Sequence, residues 1–174
     1  MESLMDAYVD GSGAAFDLLY QRIGPRLFGY LIRLTGQRER AEDLLQVTFT
    51  KMHRARDSYL RGSPVLPWVF AIARRAFLDD RRHVQSRRED LSRDGTLPEP
   101  AAEPPPAQLA DALELALARL PDHYREAIVL TKVTGLSVAE AAEVLGTTPS
   151  AVKLRVHRGY KELRQYLEAY QRTP

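Results

Sequence analysis

The chain has 174 residues, of which 44% are hydrophobic and 28% charged, with a net charge of +2 and no cysteine. That length suits one ordinary domain or two small ones, and the balance excludes a wholly disordered chain. The missing thiols exclude disulfides and thiolate metal sites and fit a reducing compartment. No apolar run approaches the roughly 18 residues needed to span a membrane, so no membrane insertion is expected. The opening MESLMDAYVDG has neither the basic nor the long apolar region of a signal peptide, and a cytoplasmic location is expected.

Net charge becomes informative once divided along the chain. Residues 1–50 hold five basic and seven acidic side chains (−2), and residues 51–88 hold ten and three (+7). Residues 89–147 hold four and eleven (−7), and residues 148–174 hold six and two (+4). Two basic blocks separated by an acidic one point to two contacts along one polyanion.

No stretch alternates apolar and polar residues with a period of two. Helical spacing dominates, which predicts an all-α fold. Gly11-Ser12-Gly13 ends a short opening helix, and a long helix over 14–34 follows, with Phe16, Leu19, Ile23, Leu27, Tyr30 and Leu31 on its apolar side. Gly24-Pro25 is a candidate kink within it. A third helix over 38–56 buries Ala41, Leu44, Leu45, Thr48, Phe49 and Met52. Gly62-Ser63-Pro64 and Pro67 mark a loop, and a fourth helix covers 68–84. The stretch EDLSRDGTLPEPAAEPPPAQ holds five prolines and five acids. It lacks the periodicity needed to offset ordering entropy and is expected to be an extended, flexible linker.

Beyond the linker, Leu109, Leu113, Leu117 and Leu120 stripe a helix that Pro121 stops. A second helix covers 122–134 and ends at Gly135. Ser137 and Glu140 have the spacing of a capping box for a short helix closed by Gly146. Thr148-Pro149 offers an N-cap and a first-turn proline for a last helix, within the stretch TTPSAVKLRVHRGYKELRQYL. Here Lys153, Arg155, His157, Arg158, Lys161 and Arg164 fall within twelve positions with one acid, Glu162. On a wheel of about 100° per residue, Val152, Val156, Gly159, Tyr160 and Leu163 gather opposite them. One face calls for a core, the other for an anion.

Gly146-Thr147-Thr148 between those two helices has helix-turn-helix spacing. Ala139, Ala142, Val144 and Leu145 are placed to pack beneath the second helix. Residues 150–158 would enter a major groove, where Arg or Lys bridges guanine O6 and N7. An amphipathic helix in a plain bundle is the alternative on pattern alone.

The run LARLPDHYREAIVLTKVTGLSVAEAAEVLGTTPSAVKLRVHRGYKELRQYL resembles the promoter-binding domain of bacterial sigma factors of the extracytoplasmic-function (ECF) type. Leu120-Pro121, Gly135-Leu136-Ser137 and Val152-Lys153 stand in the family's order. FDLLYQRIGPRLFGYLIRLTGQRERAEDLLQVTFTKMHRAR resembles its core-polymerase-binding domain, through Ala41-Glu42-Asp43-Leu44-Leu45-Gln46. Trp68-Val69-Phe70-Ala71-Ile72-Ala73-Arg74, with Asp79 and Arg81-Arg82, resembles the segment that reads the melted −10 edge.

The resemblance implies two small helical domains, at 1–88 and 109–174, joined by an acidic proline-rich linker at 89–108. It implies docking of Glu42, Asp43 and Gln46 on the β′ coiled coil of core RNA polymerase, with the β flap as a further contact. It also implies −10 contacts from Arg61, Trp68, Arg74, Arg75, Arg81 and Arg82, with Trp68 equally readable as a core tryptophan. The −35 contacts fall to Ser150, Ala151, Lys153, Leu154, Arg155 and Arg158. Partners implied are core polymerase, double-stranded and melted promoter DNA, and an anti-sigma factor. Three positions depart from the family pattern: Val47 replaces an acid, Val65-Leu66-Pro67 replaces a more polar stretch, and Arg75 replaces asparagine. The linker resembles the acidic connection that threads through the polymerase.

No catalytic constellation, P-loop or dinucleotide motif is present. Asp79, Asp80 and His83 fall short of a metal site for want of a further ligand, so no cofactor and no enzyme activity are expected. A helix-turn-helix regulator acting alone, or a decoy binding acidic proteins, would use the same basic face; the Glu42-Asp43-Gln46 surface argues against the first.

Overall fold

In the computed structural model, which describes residues 1–93 and 109–171, every regular element is helical. The N-terminal domain comprises α1 (Glu2–Val9), α2 (Gly13–Thr35), α3 (Arg38–Ala55) and α4 (Val65–Arg93), with a 3-10 turn at Arg56–Ser58. The C-terminal domain comprises α5 (Leu109–Arg119), α6 (Asp122–Ile128) continued by a π turn (Val129–Val133), α7 (Val138–Leu145) and α8 (Pro149–Gln171).

Local chemistry explains most boundaries. The Ser12 hydroxyl accepts the Ala15 N–H at 3.2 Å and starts α2, and Gly36 ends it in the left-handed conformation. Helix α2 runs unbroken through Pro25. The carbonyl that Pro25 leaves without a donor belongs to Gln21, and both residues are exposed, so water can serve it. Leu19, Ile23, Leu27, Tyr30 and Leu31 of α2 are fully buried with Met52 of α3 and Val69 and Phe70 of α4. Full burial of such side chains stabilises by about 1.5–3 kcal/mol each. Phe70 meets Tyr30 edge-on, centroids 5.4 Å apart.

Helix α4 differs from the expectation at both ends. It begins at Val65 because Pro67 sits in its first turn, where no N–H is required, and Val65 and Pro67 are buried anchors. It continues to Arg93, taking in residues 89–93 that were expected in the linker. Residues 85–93 contain good helix formers and no Gly or Pro. The rest of the expected linker, 94–108, lies outside the described residues.

Three core expectations are corrected. Leu113 is 43% exposed, and α5 instead buries Ala112, Ala116, Leu117 and Leu120. The buried arc is shifted because α5 packs against α2 as well as α8. Ala139 is exposed, while Ala141, Ala142, Val144 and Leu145 are buried beneath the turn. Tyr160 is exposed because its neighbour Gly159 takes the inward position and Tyr160 lies about 100° further round.

A Cβ on Gly159 would lie 2.6 Å from Ile128 Cδ1 and 3.2 Å from Tyr124 Cβ. Helices α6 and α8 touch there only because position 159 has no side chain. Gly159→Val is expected to destabilise the C-terminal domain by about 1–3 kcal/mol through overpacking, which denaturant unfolding would read directly.

The two domains share one buried cluster. The end of α6 and its π turn pack on α2, and α7 packs on α4. Along this seam Tyr30 donates to Glu126 Oε1 at 2.8 Å, and Arg74 Nε reaches the same oxygen at 2.9 Å. Burial and the adjacent Glu126 carboxylate push the Tyr30 hydroxyl well above its usual range, so it stays a donor. Arg26 Nε donates to the Thr134 carbonyl at 3.0 Å, Arg33 pairs with Glu114 at 2.5 Å, and Arg81 pairs with Asp122.

Candidate DNA and polymerase interfaces

The expected helix-turn-helix is formed. Ser137 accepts the Glu140 N–H at 3.2 Å while the Glu140 carboxylate accepts the Ser137 N–H at 2.8 Å, a complete capping box that starts α7. Gly146 turns the chain at φ 62°, where a Cβ would be strained, and the Thr147 N–H closes on the Ala142 carbonyl at 3.0 Å. Thr148 then caps α8 by accepting the Ala151 N–H at 3.2 Å.

Val152 and Leu163 are buried and pin α8 to the domain. Ser150, Lys153, Leu154 and Arg158 are exposed, and Ala151 and Arg155 half-buried, so the predicted −35 set lies along the open side of one helix. Among the described residues none of Lys153, Arg155, Arg158, Lys161 or Arg164 forms an ion pair within the chain. These cations line the open side of α8, an arrangement suited to phosphate and base edges. Leu154 is 47% exposed in their midst, an apolar side chain on a basic face.

On α3, Ala41, Leu44 and Phe49 point inward and Glu42, Asp43 and Gln46 outward, as the spacing predicts. Glu42 pairs with Arg38 one turn earlier at 2.8 Å. Val47 is 41% exposed. It lines a shallow groove with Asp43, Gln46, Lys51 and Arg54, so this surface has an apolar centre with polar edges.

The −10 candidates behave differently. Arg75 is exposed and carries no ion pair among the described residues. Arg61 is tied to Asp10, Arg82 to Asp79 at 2.6 Å, Arg74 to Glu126 and Arg81 to Asp122. Trp68 is half-buried and packs edge-on against Tyr59 at 5.2 Å, as a core tryptophan would. Val65 is buried and Leu66 half-buried, so the apolar departure from the family pattern anchors the start of α4. Leu60, just before Arg61, is 75% exposed. Asp79 meets Lys51 at 3.2 Å and Asp80 meets Arg40, so both carboxylates neutralise cations on α3. Among the described residues no group of three or more His, Cys, Asp or Glu is arranged to hold a metal.

Sequence reasoning missed the seam residues Tyr30, Glu114, Asp122 and Glu126. A signal was available in Glu126, an acid opening the apolar run Ala127-Ile128-Val129-Leu130, where a carboxylate needs a buried partner.

An α-helical protein that presents a capped helix-turn-helix from one domain, and an acidic helix face beside a basic helix from another, belongs to the class of two-domain DNA-binding transcription proteins. Family profiles sharpen the class: "Sigma-70 region 2" matches residues 19–88 and "Sigma-70, region 4" matches residues 110–163. The chain is 39% identical over 165 residues to the RNA polymerase sigma factor CarQ of Myxococcus xanthus, covering 94% of this chain and 95% of that one. It is 36% identical to the ECF RNA polymerase sigma factor SigE of Mycolicibacterium smegmatis, over 88% of this chain and 62% of that protein. The fold is similar to that of the sigma factor RpoE of Bartonella quintana, solved with the anti-sigma factor NepR, at a TM-score of 0.77 and 30% identity over 88% and 96% of the chains. The chain belongs to the sigma-70 family of RNA polymerase sigma factors, in its ECF group. It therefore binds core RNA polymerase and directs it to promoters through −10 and −35 contacts. Sigma factors are not in general enzymes.

Proposed function

We propose that the two domains divide promoter recognition, with 1–88 binding core polymerase and the −10 element and 109–174 binding the −35 element. The observation that carries this is the open face of α8, whose cations form no ion pair among the described residues and whose start is capped by Thr148. Lys153, Arg155 and Arg158 supply hydrogen bonds to base edges and phosphates, Ser150 and Ala151 approach the groove at the helix start, and Leu154 supplies apolar contact. Arg61, Arg74, Arg75, Arg81 and Arg82 hold phosphates of the melted strand. Trp68 supports the helix that carries them.

Glu42, Asp43 and Gln46 orient the chain on the β′ coiled coil through charge pairing, with Val47 adding apolar contact. The C-terminal domain meets the β flap. On this reading the chain has no chemistry of its own and works in the cytoplasm. The fold's likeness to a sigma factor held by NepR supports an anti-sigma factor as a further partner.

Run-off transcription tests this. Purified protein added to bacterial core polymerase with sheared genomic DNA is expected to yield discrete transcripts that need the protein. Absence of transcripts, with DNA binding retained, would favour a helix-turn-helix regulator acting alone.

A further inference from the structure

The polar cross-links described above along the seam run in one direction. The donors, Arg26, Tyr30, Arg33, Arg74 and Arg81, belong to the N-terminal domain; the acceptors, the Thr134 carbonyl and the Glu114, Asp122 and Glu126 carboxylates, belong to the C-terminal domain. The centre is Glu126, only 9% exposed, whose Oε1 takes both Tyr30 and Arg74. Removing either donor leaves a buried carboxylate short of a partner, a costly state that makes the contact close or open as a unit. Two of the donors, Arg74 and Arg81, are cations assigned above to phosphates of the melted −10 strand.

We propose that the acidic seam face of the C-terminal domain is an intramolecular phosphate mimic, which occupies Arg74 and Arg81 in the closed chain and is displaced by single-stranded DNA. This rests on the −10 assignment of those arginines. The closed chain is self-inhibited for strand capture, because the Glu126 and Asp122 carboxylates neutralise the Arg74 and Arg81 charges that would draw a phosphate. Helix α7 lies against α4 in the same state, so one side of the −10 helix is covered by protein while Arg75 and Arg82 stay exposed. The open face of α8 is untouched by closure, which leaves duplex binding available while strand binding waits for opening. Apparent strand affinity is lowered by the fraction of open molecules.

The chain lacks cysteine, so Arg33→Cys with Glu114→Cys provides a lone thiol pair across the seam, at side chains outside the DNA-contact set. A bismaleimide with a disulfide spacer would lock the full chain closed, and dithiothreitol would release it without altering its sequence. The probe is a fluorescein-labelled 20-nucleotide oligothymidine at low salt, read by anisotropy; phosphate contacts need no promoter sequence. Binding through α8 is common to both states. The released chain is expected to bind about tenfold more tightly than the locked one, and equal affinities would overturn the proposal. In the released chain, Arg74→Ala with Arg81→Ala is expected to weaken binding. If it does not, while locking still inhibits, the −10 assignment fails and mimicry with it. Glu126→Ala is expected to raise the radius of gyration in solution scattering and tighten oligothymidine binding beyond the charge-matched Glu143→Ala. No change in either would remove Glu126 as the latch and overturn the proposal.

Discussion

Asp43→Arg is expected to abolish transcription from the cognate promoter, with affinity for core polymerase falling roughly a hundredfold or more. Asp43 is exposed on α3, between the Arg38–Glu42 pair and the groove that holds Val47. Reversing its charge sets like charges against a basic docking surface without disturbing Ala41 or Leu44, which are buried behind it. Binding to core polymerase should therefore be lost while the thermal melt stays within a degree or two, and duplex binding through α8 should be unaffected. Pull-down of core polymerase beside an electrophoretic shift on promoter DNA separates these outcomes. Retained core binding would mean that the docking surface lies elsewhere.

Arg158→Ala and Arg164→Ala should differ in kind. Arg158 lies in the N-terminal half of α8 beside Leu154 and Arg155, where a guanidinium can bridge a guanine. Its loss is expected to cost about 1–3 kcal/mol on the promoter and little on scrambled DNA, a drop of tenfold to a hundredfold in discrimination. Arg164 is nearly two turns further on, exposed and without an ion pair. Its loss should weaken both sequences alike and reduce the salt slope by about one. Titrations of both variants on promoter and scrambled duplexes, at several salt concentrations, read the difference. Identical losses would show that both arginines serve phosphates.

The C-terminal domain was nearly complete in the sequence, because its signals are local. Leu120-Pro121, the Ser137–Glu140 capping box, Gly146 and Thr148-Pro149 each act within one helical turn, and each bond they predict is formed. The open face of α8 followed from spacing alone, since five cations and a histidine within twelve positions leave a helix only one side to bury. The outward placement of Glu42, Asp43 and Gln46 followed from the apolar positions of α3, which claim the opposite side, whereas their choice as a set came from the family resemblance.

Where the sequence misled, a neighbouring helix decided. Tyr160 lies on the apolar arc of the wheel, yet Gly159 takes the contact because α6 approaches closely enough to demand a missing Cβ. Leu113 belongs to a regular leucine stripe, yet α5 packs against two helices and its buried arc shifts to the alanines. Helix α4 outran its expected end because a charged, proline-free stretch continues a helix already anchored at Val65 and Val69.

The sequence by itself determined an all-α chain, its helix-turn-helix and the outward chemistry of α3 and α8. These depend on capping, periodicity and turn residues acting over a few positions. Only the tertiary structure decided that Arg74 and Arg81 meet Glu126 and Asp122, that Tyr30 donates across the seam, and that one core joins both domains. Those pairings join residues 41 to 96 positions apart; no local periodicity encodes a partner that distant, and it is found only when the helices pack.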